Sequence, residues 1–181
     1  MELKTNRLLL REMTQSDRPA LSKMLTDPQV MYAWEHAFTP EEVQEWMDRQ
    51  LLRYETYRHQ FGLWGMVLQE TGEMIGQCGI TLQPYKEMQV PEIGYYLQKA
   101  FWHRGYALEG ACACRDYAFT KLGFPEIFSI IRDTNTASQN VARRCGMTLQ
   151  DSIVKRYYNM DMPHLVFSVQ KLAMERCIYI G

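Results

Sequence analysis

The chain has 181 residues, which is enough for one domain with a sizeable core and too few for two. Hydrophobic residues make up 46% and charged residues 23%, with no apolar run long enough to span a bilayer and no secretion signal, which argues against a membrane partner and predicts a cytoplasmic protein. The formal net charge of −1 provides no overall attraction for nucleic acid, so that class of partner is not expected either.

The first third of the sequence predicts one strand and two helices. In "TNRLLLREM", Leu8 and Leu10 alternate with other residues as they do in a strand. The next segment, "TQSDRPALSKML", offers Ser16 or Asp17 as the N-cap of a helix. Thr39 and a following proline open a longer amphipathic helix in "TPEEVQEWMDRQLLRYETYRHQ".

The remainder predicts three strands, a helix, a strand, a helix and two strands. "FGLWGMVLQ" and "EMIGQCGITLQ" indicate a hairpin, and "QVPEIGYYLQ" continues it. A long helix is expected between Gly105 and Gly123, followed by the strand "EIFSIIRD" and the helix "TASQNVARRCG". "MTLQDSIVKRYYN" and "PHLVFSVQKL" close the chain as strands. The order predicts a single mixed α/β domain over residues 1–181, with its core at about 5–172.

The stretch "AFWHRGYALEG" lies where the long helix begins. The first backbone N–H groups of a helix lack partners and carry a partial positive charge, so such an end can bind phosphate. Gly105 and Ala107 keep the approach to the backbone open, and His103 or Arg104 could add donors. The alternative is an ordinary loop between a strand and a helix.

At this point the sequence resembles the GNAT superfamily of N-acetyltransferases, and more closely its ribosomal-protein-acetyltransferase-like (RimJ/RimL-type) branch. The superfamily pattern [Gln/Arg]-x-x-Gly-x-[Gly/Ala] matches residues 102–107, with Trp102 in place of Gln or Arg. "DTNTASQNVARRCGM", "EIGYYL" and "TNRLLLREMTQSD" resemble further segments of the branch, and all four occur in the family's order.

The resemblance implies an acyl-CoA N-acyltransferase fold, with a mixed, mostly antiparallel sheet whose central parallel strands splay apart between flanking helices. It implies acetyl-CoA as co-substrate, a primary amine as acceptor, and direct transfer in a ternary complex. It places the contacts to acetyl-CoA at Tyr95, Tyr96, Leu97, His103, Arg104, Gly105, Tyr106, Ala107, Asn135 and Ser138.

Two residues are candidates for catalysis. An amine must be neutral before it attacks a thioester, and the resemblance makes Glu92 the candidate general base, acting directly or through water, because many family members carry an acid at this position. The alternative is a solvated carboxylate at a strand end. Many family members protonate the departing thiolate with a tyrosine, but the corresponding position here is Ala142. The resemblance assigns that role to Ser138, and the alternative is that Ser138 caps its helix.

The acceptor side is expected to involve the early helices and the late strands. Candidates are Tyr32, Trp34, His36, Tyr157, Tyr158 and His164, most of which pack in the core or on the surface if they do not bind. The five cysteines match neither a zinc site nor a disulfide framework, so no metal is predicted, and Cys112 and Cys114 are interpreted as small core residues without thiolate activation.

Three functions stay open at this level. The first is an N-acetyltransferase acting on a protein N-terminus or a small-molecule amine. The second is a non-catalytic acyl-CoA-binding module, which the missing tyrosine favours, and the third is an interaction domain without CoA. The acceptor and a homodimer are both left undecided by the sequence.

Overall fold

A computed structural model describes residues 2–157 and 159–171 of the chain, without the side chain of Tyr157. Its strands are β1 (Glu2–Lys4), β2 (Leu8–Arg11), β3 (Leu63–Leu68), β4 (Met74–Tyr85), β5 (Met88–Leu97), β6 (Glu126–Arg132), β7 (Thr148–Tyr157) and β8 (Met160–Gln170). Its α-helices are α1 (Arg18–Leu25), α2 (Pro40–Thr56), α3 (Tyr106–Thr120) and α4 (Thr136–Arg144). All the predicted elements are present, and β1 is an additional strand that the sequence pattern did not indicate.

One mixed sheet runs through the molecule, in the order β1-β2-β3-β4-β5-β6-β8-β7. Every neighbouring pair is antiparallel except β5 and β6, which are parallel. This confirms the predicted α/β fold with central parallel strands. Every helix in residues 2–157 and 159–171 is too short or too polar to cross a bilayer.

Local sequence explains where the two early helices begin. Thr39 accepts a hydrogen bond from the Glu42 N–H at 3.2 Å, and the Glu42 carboxylate accepts one from the Thr39 N–H at 2.8 Å. This capping box starts α2 as predicted. Asp17 precedes α1 as expected, but its carboxylate pairs with Arg11 at 2.8 Å and accepts from the Thr14 N–H instead of capping α1.

The core lies on both faces of the sheet. One cluster packs α3 and α4 against the sheet, and a second packs α1 and α2 against it. Gly110 allows α3 to lie close to β3 and β4, because a Cβ there would stand 2.9 Å from Met66 Cε and 3.3 Å from Cys78 Sγ. The close approach fixes α3 across the sheet and aims its N-terminus at the end of β5.

Candidate active site

The parallel strands β5 and β6 separate soon after they meet. Their pairing is confined to Glu92 and Phe128, and side chains replace the hydrogen bonds that the ladder loses. The Ile130 N–H donates to Glu92 Oε1 at 3.0 Å, and Ser129 Oγ donates to the Ile93 carbonyl at 3.3 Å. Glu92 therefore lies at the point where the sheet opens, and the predicted splay is confirmed.

Two cavities adjoin this split. The larger, of about 760 Å³, lies against the turn before α3 and the start of α4. The smaller, of about 370 Å³, lies among α2, β6, β7 and β8. They share the residues Ala33, Trp34, Tyr95, Tyr96, Asn135 and Ser138. Two molecules in separate compartments could therefore meet at the split.

The turn before α3 presents a row of unpaired backbone donors to the larger cavity. His103 and Gly105 have φ of 60° and 80°, and the N–H groups of residues 103–108 donate to no acceptor in the described part of the chain. The helix dipole adds positive charge at this end. A Cβ on Gly105 would meet only Arg7 Nη2, at 3.4 Å, so glycine is needed here for its left-handed conformation more than for space.

Arg7 and Glu109 brace this turn, a role that the sequence did not indicate for either residue. Arg7 Nη1 donates to the Arg104 carbonyl at 2.9 Å, Arg7 Nε donates to Glu109 at 2.7 Å, and the guanidinium lies over the Tyr106 ring. Glu109 also accepts from Thr5 Oγ1 at 2.6 Å. Burial raises the pKa of Glu109, but the bonds from Thr5 and Arg7 more than offset it, so the pKa is lowered and the carboxylate stays charged.

The residues predicted to contact acetyl-CoA lie around the larger cavity, with one exception. All of them line it except Arg104, whose guanidinium is 5.7 Å from the centre of the Phe101 ring. Trp102, which replaces the family's Gln or Arg, donates from Nε1 to the Leu97 carbonyl at 3.0 Å. The tryptophan thus attaches the turn to the end of β5.

Glu92 faces the smaller cavity in an environment that favours its neutral form. Burial raises its pKa to about 7, although Lys155 and the Ile130 N–H each act to lower it. A carboxyl group with this pKa exchanges a proton readily near neutral pH. The site therefore holds a group suited to accept a proton beside the split.

Asn135, and not Ser138, caps α4. Its Oδ1 accepts from the Ser138 N–H at 3.0 Å and from the Tyr32 hydroxyl at 2.6 Å. The Ser138 carbonyl accepts from the Tyr95 hydroxyl at 3.4 Å, and the Ser138 side chain acts to lower the pKa of that same tyrosine. The alternative role of Ser138 as a helix cap is therefore wrong, and Ser138 lines both cavities. Ala142 is buried in the core.

The predicted acceptor residues are divided between several places. Trp34 lines both cavities, His164 lines the smaller one, and Tyr32 lines the larger one. His36 pairs with Glu42 at 2.9 Å and lines neither cavity. The side chain of Tyr157, and Tyr158 as a whole, fall outside the described residues.

Sequence reasoning missed the cations of the smaller cavity. They are Arg49, Arg53, Arg132 and Lys155, and they come from α2, β6 and β7. On α2 the spacing from Trp46 through Arg49 to Arg53 marks one helical face, which is a signal the sequence does contain. The other two cations reach the same cavity through strand pairing that no local pattern encodes.

One interpretation of the cysteines needs correction. Cys114 is buried and its pKa is raised by burial, as expected for a core residue. The Cys112 Sγ lies 3.6 Å from the Cys145 Sγ, and this contact, with Arg115 nearby, lowers the pKa of Cys112. Cys112 therefore packs against the core as expected, but its thiol pKa is lower than the interpretation without thiolate activation implied. Residues 2–157 and 159–171 contain no cluster of three or more His, Cys, Asp or Glu suited to a metal.

Comparison with known proteins identifies related sequences and structures. The acetyltransferase (GNAT) domain family matches residues 7–148 of the chain. Protein YkkB of Bacillus subtilis, itself uncharacterized, is 35% identical over 155 residues, which cover 85% of this chain and 89% of that protein.

Two solved structures illustrate the similarity of the fold. An acetyltransferase from Agrobacterium tumefaciens has a TM-score of 0.78 and 31% identity, with 94% of this chain and 95% of that one covered. RimL, a ribosomal L7/L12 alpha-N-protein acetyltransferase solved with coenzyme A, has a TM-score of 0.74 and 20% identity, with 94% and 98% covered. RimL thus shares the fold, which is consistent with the resemblance to the RimJ/RimL-type branch.

Proposed function

Because the chain belongs to the GNAT acetyltransferase family, as its resemblance predicted, we propose that it transfers acetyl from acetyl-CoA to a primary amine by direct attack in a ternary complex. The observation that carries this proposal is the meeting of two cavities at the split between β5 and β6. Glu92 lies at that point on one side, and Ser138 borders both cavities.

The larger cavity suits acetyl-CoA. The N–H groups of residues 103–108 would hold the pyrophosphate, with the positive end of α3 behind them. Beyond the split, the edge of β5 that faces β6 has no strand partner at Gly94–Leu97, so its backbone groups, apart from the Leu97 carbonyl that accepts from Trp102, are open to the pantetheine amides. Acetyl-CoA bound in this way supplies the activated acetyl group.

The acceptor must reach the split as a neutral amine. For a lysine-like amine with a pKa near 10.4, deprotonation at about pH 7.4 costs ~4 kcal/mol, whereas an N-terminal amine with a pKa near 8 costs far less. Glu92, with its pKa of about 7, would take the proton directly or through a water. A base of this strength matters most for the more basic acceptors.

The remaining chemistry concerns the leaving sulfur. As the amine nitrogen bonds to the acetyl carbon, the carbon–sulfur bond breaks and its electron pair goes to sulfur. Ser138 would donate a hydrogen bond from its hydroxyl to that thiolate, since Ser138 lines both cavities where they meet. The nitrogen loses a second proton as the amide forms, and this proton reaches the thiolate by way of solvent. The proton held by Glu92 is released to solvent, which leaves CoA, the acetylated amine and one free proton.

Release of free thiol from acetyl-CoA over a panel of amines tests the proposal. Amine-dependent thiol release with one acetylated product per CoA is the expected result. Binding of CoA without release by any amine would overturn the transferase proposal and favour an acyl-CoA-binding module. Absence of CoA binding would leave the interaction domain as the better account.

A further inference from the structure

The smaller cavity has more positive charge than its own protein groups neutralise. Arg49, Arg53, Arg132 and Lys155 line it, and within the described residues none of them forms an ion pair. Ion pairs do occur elsewhere, for example between Arg11 and Asp17 at 2.8 Å. Other lysines and arginines of the described residues are also unpaired, but these four line one cavity, and Arg53, Arg132 and Lys155 are partly buried there.

The pair of arginines on α2 shows the imbalance most clearly. Arg53 is half-buried, and its pKa is lowered first by burial and then by the neighbouring charge of Arg49. Its hydrogen bond goes to Gln50 Oε1, a neutral acceptor, at 3.1 Å. Like charges four residues apart also weaken a helix. A cation so placed is stabilised when an anion enters the cavity.

The opposite wall supplies two more cations. Arg132 is partly buried, its Nη1 donates to the Ala33 carbonyl at 3.3 Å, and its Nε is buried without a partner. Arg132 on β6 pairs with His164 on β8, and His164 pairs in turn with Ile153 on β7. Ile153 precedes Lys155 by two residues, so the two side chains share a face. Arg132 and Lys155 therefore occupy one face of the sheet and reach the cavity together.

Two acidic residues line the same cavity, and they leave the charge positive. Glu92 has a pKa of about 7, so near neutral pH it carries only part of a charge, and its carboxylate already accepts from Ile130. Glu35 lies on the loop between α1 and α2. Four cations face at most two anions.

The size and the apolar wall of the cavity limit the ligand. About 370 Å³ is near the lower end of the range for small-molecule pockets. Trp34, Trp46 and Tyr96 form one wall, with ring centres 5.7 to 6.1 Å apart. Such a wall packs well against a short aliphatic chain.

Resting on the proposed function, we infer that the acceptor is a small primary amine that carries a carboxylate elsewhere in the molecule. Its amine lies beside Glu92 at the split, its aliphatic part packs on the aromatic wall, and its carboxylate binds among Arg53, Arg132 and Lys155. Diamines and polyamines, which would bring positive charge to these cations, are excluded as good acceptors.

Two matched sets of amines test this inference by steady-state kinetics. The first is γ-aminobutyrate, γ-aminobutyramide and putrescine, and the second is L-lysine, L-lysinamide and cadaverine. In each set the carboxylate of the first amine is an amide in the second. In the third amine the carboxylate is replaced by an aminomethyl group (putrescine) or is missing (cadaverine). We expect kcat/KM for the better carboxylate to exceed that of its amide by at least about tenfold, as a charge-assisted hydrogen bond provides. An equal or higher value for both amides, or for the diamines, overturns the inference.

Charge-removing variants locate the carboxylate. Arg53→Gln and Lys155→Gln should each lower the ratio of kcat/KM for the carboxylate to kcat/KM for its amide. Lys155→Gln should also raise the pKa of Glu92, a change that affects both amines alike and leaves this ratio as the readout. Arg156→Gln is the matched control, because Arg156 adjoins Lys155 but points to the other face of β7 with its side chain 70% exposed. A carboxylate preference that survives both cavity variants contradicts the assigned binding residues.

Calorimetric binding of the same amines to the enzyme saturated with CoA separates this inference from the proposed function. Tighter binding of carboxylates than of amides, lost in Arg53→Gln, supports the anion site even if no amine is acetylated, and that result would count against the transferase proposal alone. Acetylation of amines without any preference for carboxylates would sustain the transferase and overturn the anion site.

Discussion

Glu92 has two separable roles, because its carboxylate both accepts the Ile130 N–H at the split and titrates near neutral pH. Glutamine at this position keeps an oxygen that can accept the same hydrogen bond, but it cannot take a proton. In the wild type, kcat/KM should rise with pH through about 7, because below that pH the carboxyl is protonated and cannot act as a base. Glu92→Gln should remove this rise and lower kcat/KM by about 10²- to 10⁴-fold for a lysine-like amine.

The control for this variant is CoA affinity, which should stay within about twofold of the wild type.

The stability of the two proteins should also differ with pH in a defined direction. The pKa of Glu92 is raised in the folded protein. Its contribution to the free energy of unfolding is therefore fully present below the unfolded pKa of about 4.3 and is lost as pH rises through about 7. The glutamine variant should lack that loss of stability. An inflection near pH 7 that persists in its kcat/KM would refute the assignment of Glu92 as the base.

Ser138 is the residue whose hydroxyl can serve the departing sulfur, and removal of that hydroxyl should not unfold α4. Asn135 provides the cap, so Ser138→Ala should lower kcat by about tenfold or more while the Kd for CoA stays unchanged. Asn135→Ala is the contrasting variant, because loss of a cap costs about 1 kcal/mol of stability. Equal losses of kcat and of CoA affinity in Ser138→Ala would show that the serine supports binding and not the leaving group.

At the scale of elements, the N-terminus of α3 combines a glycine conformation with a brace from a distant strand. Gly105→Val should weaken CoA binding more than Arg104→Ala, because valine at a φ of 80° displaces the backbone donors, whereas the Arg104 side chain lies over Phe101. Titration calorimetry with CoA measures both. A larger loss in Arg104→Ala would show that a side chain, and not the backbone, holds the pyrophosphate.

The elements also show why sequence reasoning succeeded in some places and missed others. α2 and α3 were predicted within a few residues of their ends, because caps, prolines and apolar spacing are local signals. The brace of Arg7 on Glu109 joins residues 102 apart, and the cations of the smaller cavity converge from a helix and two strands. Such convergence depends on strand order and register, which periodicity alone does not specify. The prediction that β5 and β6 are parallel neighbours therefore rested on the family resemblance.

At the scale of the whole molecule, the sheet consists of two antiparallel parts joined at a weak seam. Strands β1 to β5 form one part and β6, β8 and β7 the other, and the parallel pairing between them is confined to Glu92 and Phe128. The core cluster under α3 and α4 contains Leu97 from one part and Phe167 from the other, so it ties them on one face. A ligand that occupies the split adds the contacts that the seam lacks.

This architecture predicts how CoA and its fragments stabilise the protein. At 100 times its Kd, CoA should add about 2.7 kcal/mol to the free energy of unfolding, which for a chain of this size raises Tm by about 5–10 °C. In the proposed binding mode, a nucleotide fragment of CoA without the pantetheine arm would reach the turn before α3 but not the split. At the same ratio to its own Kd, the fragment should give a similar shift in Tm. CoA should slow the local hydrogen exchange of the Ile130 amide and its β6 neighbours, whereas the fragment should not. Equal protection by the fragment would mean that the arm does not lie between β5 and β6, and it would move the acetyl group away from Glu92.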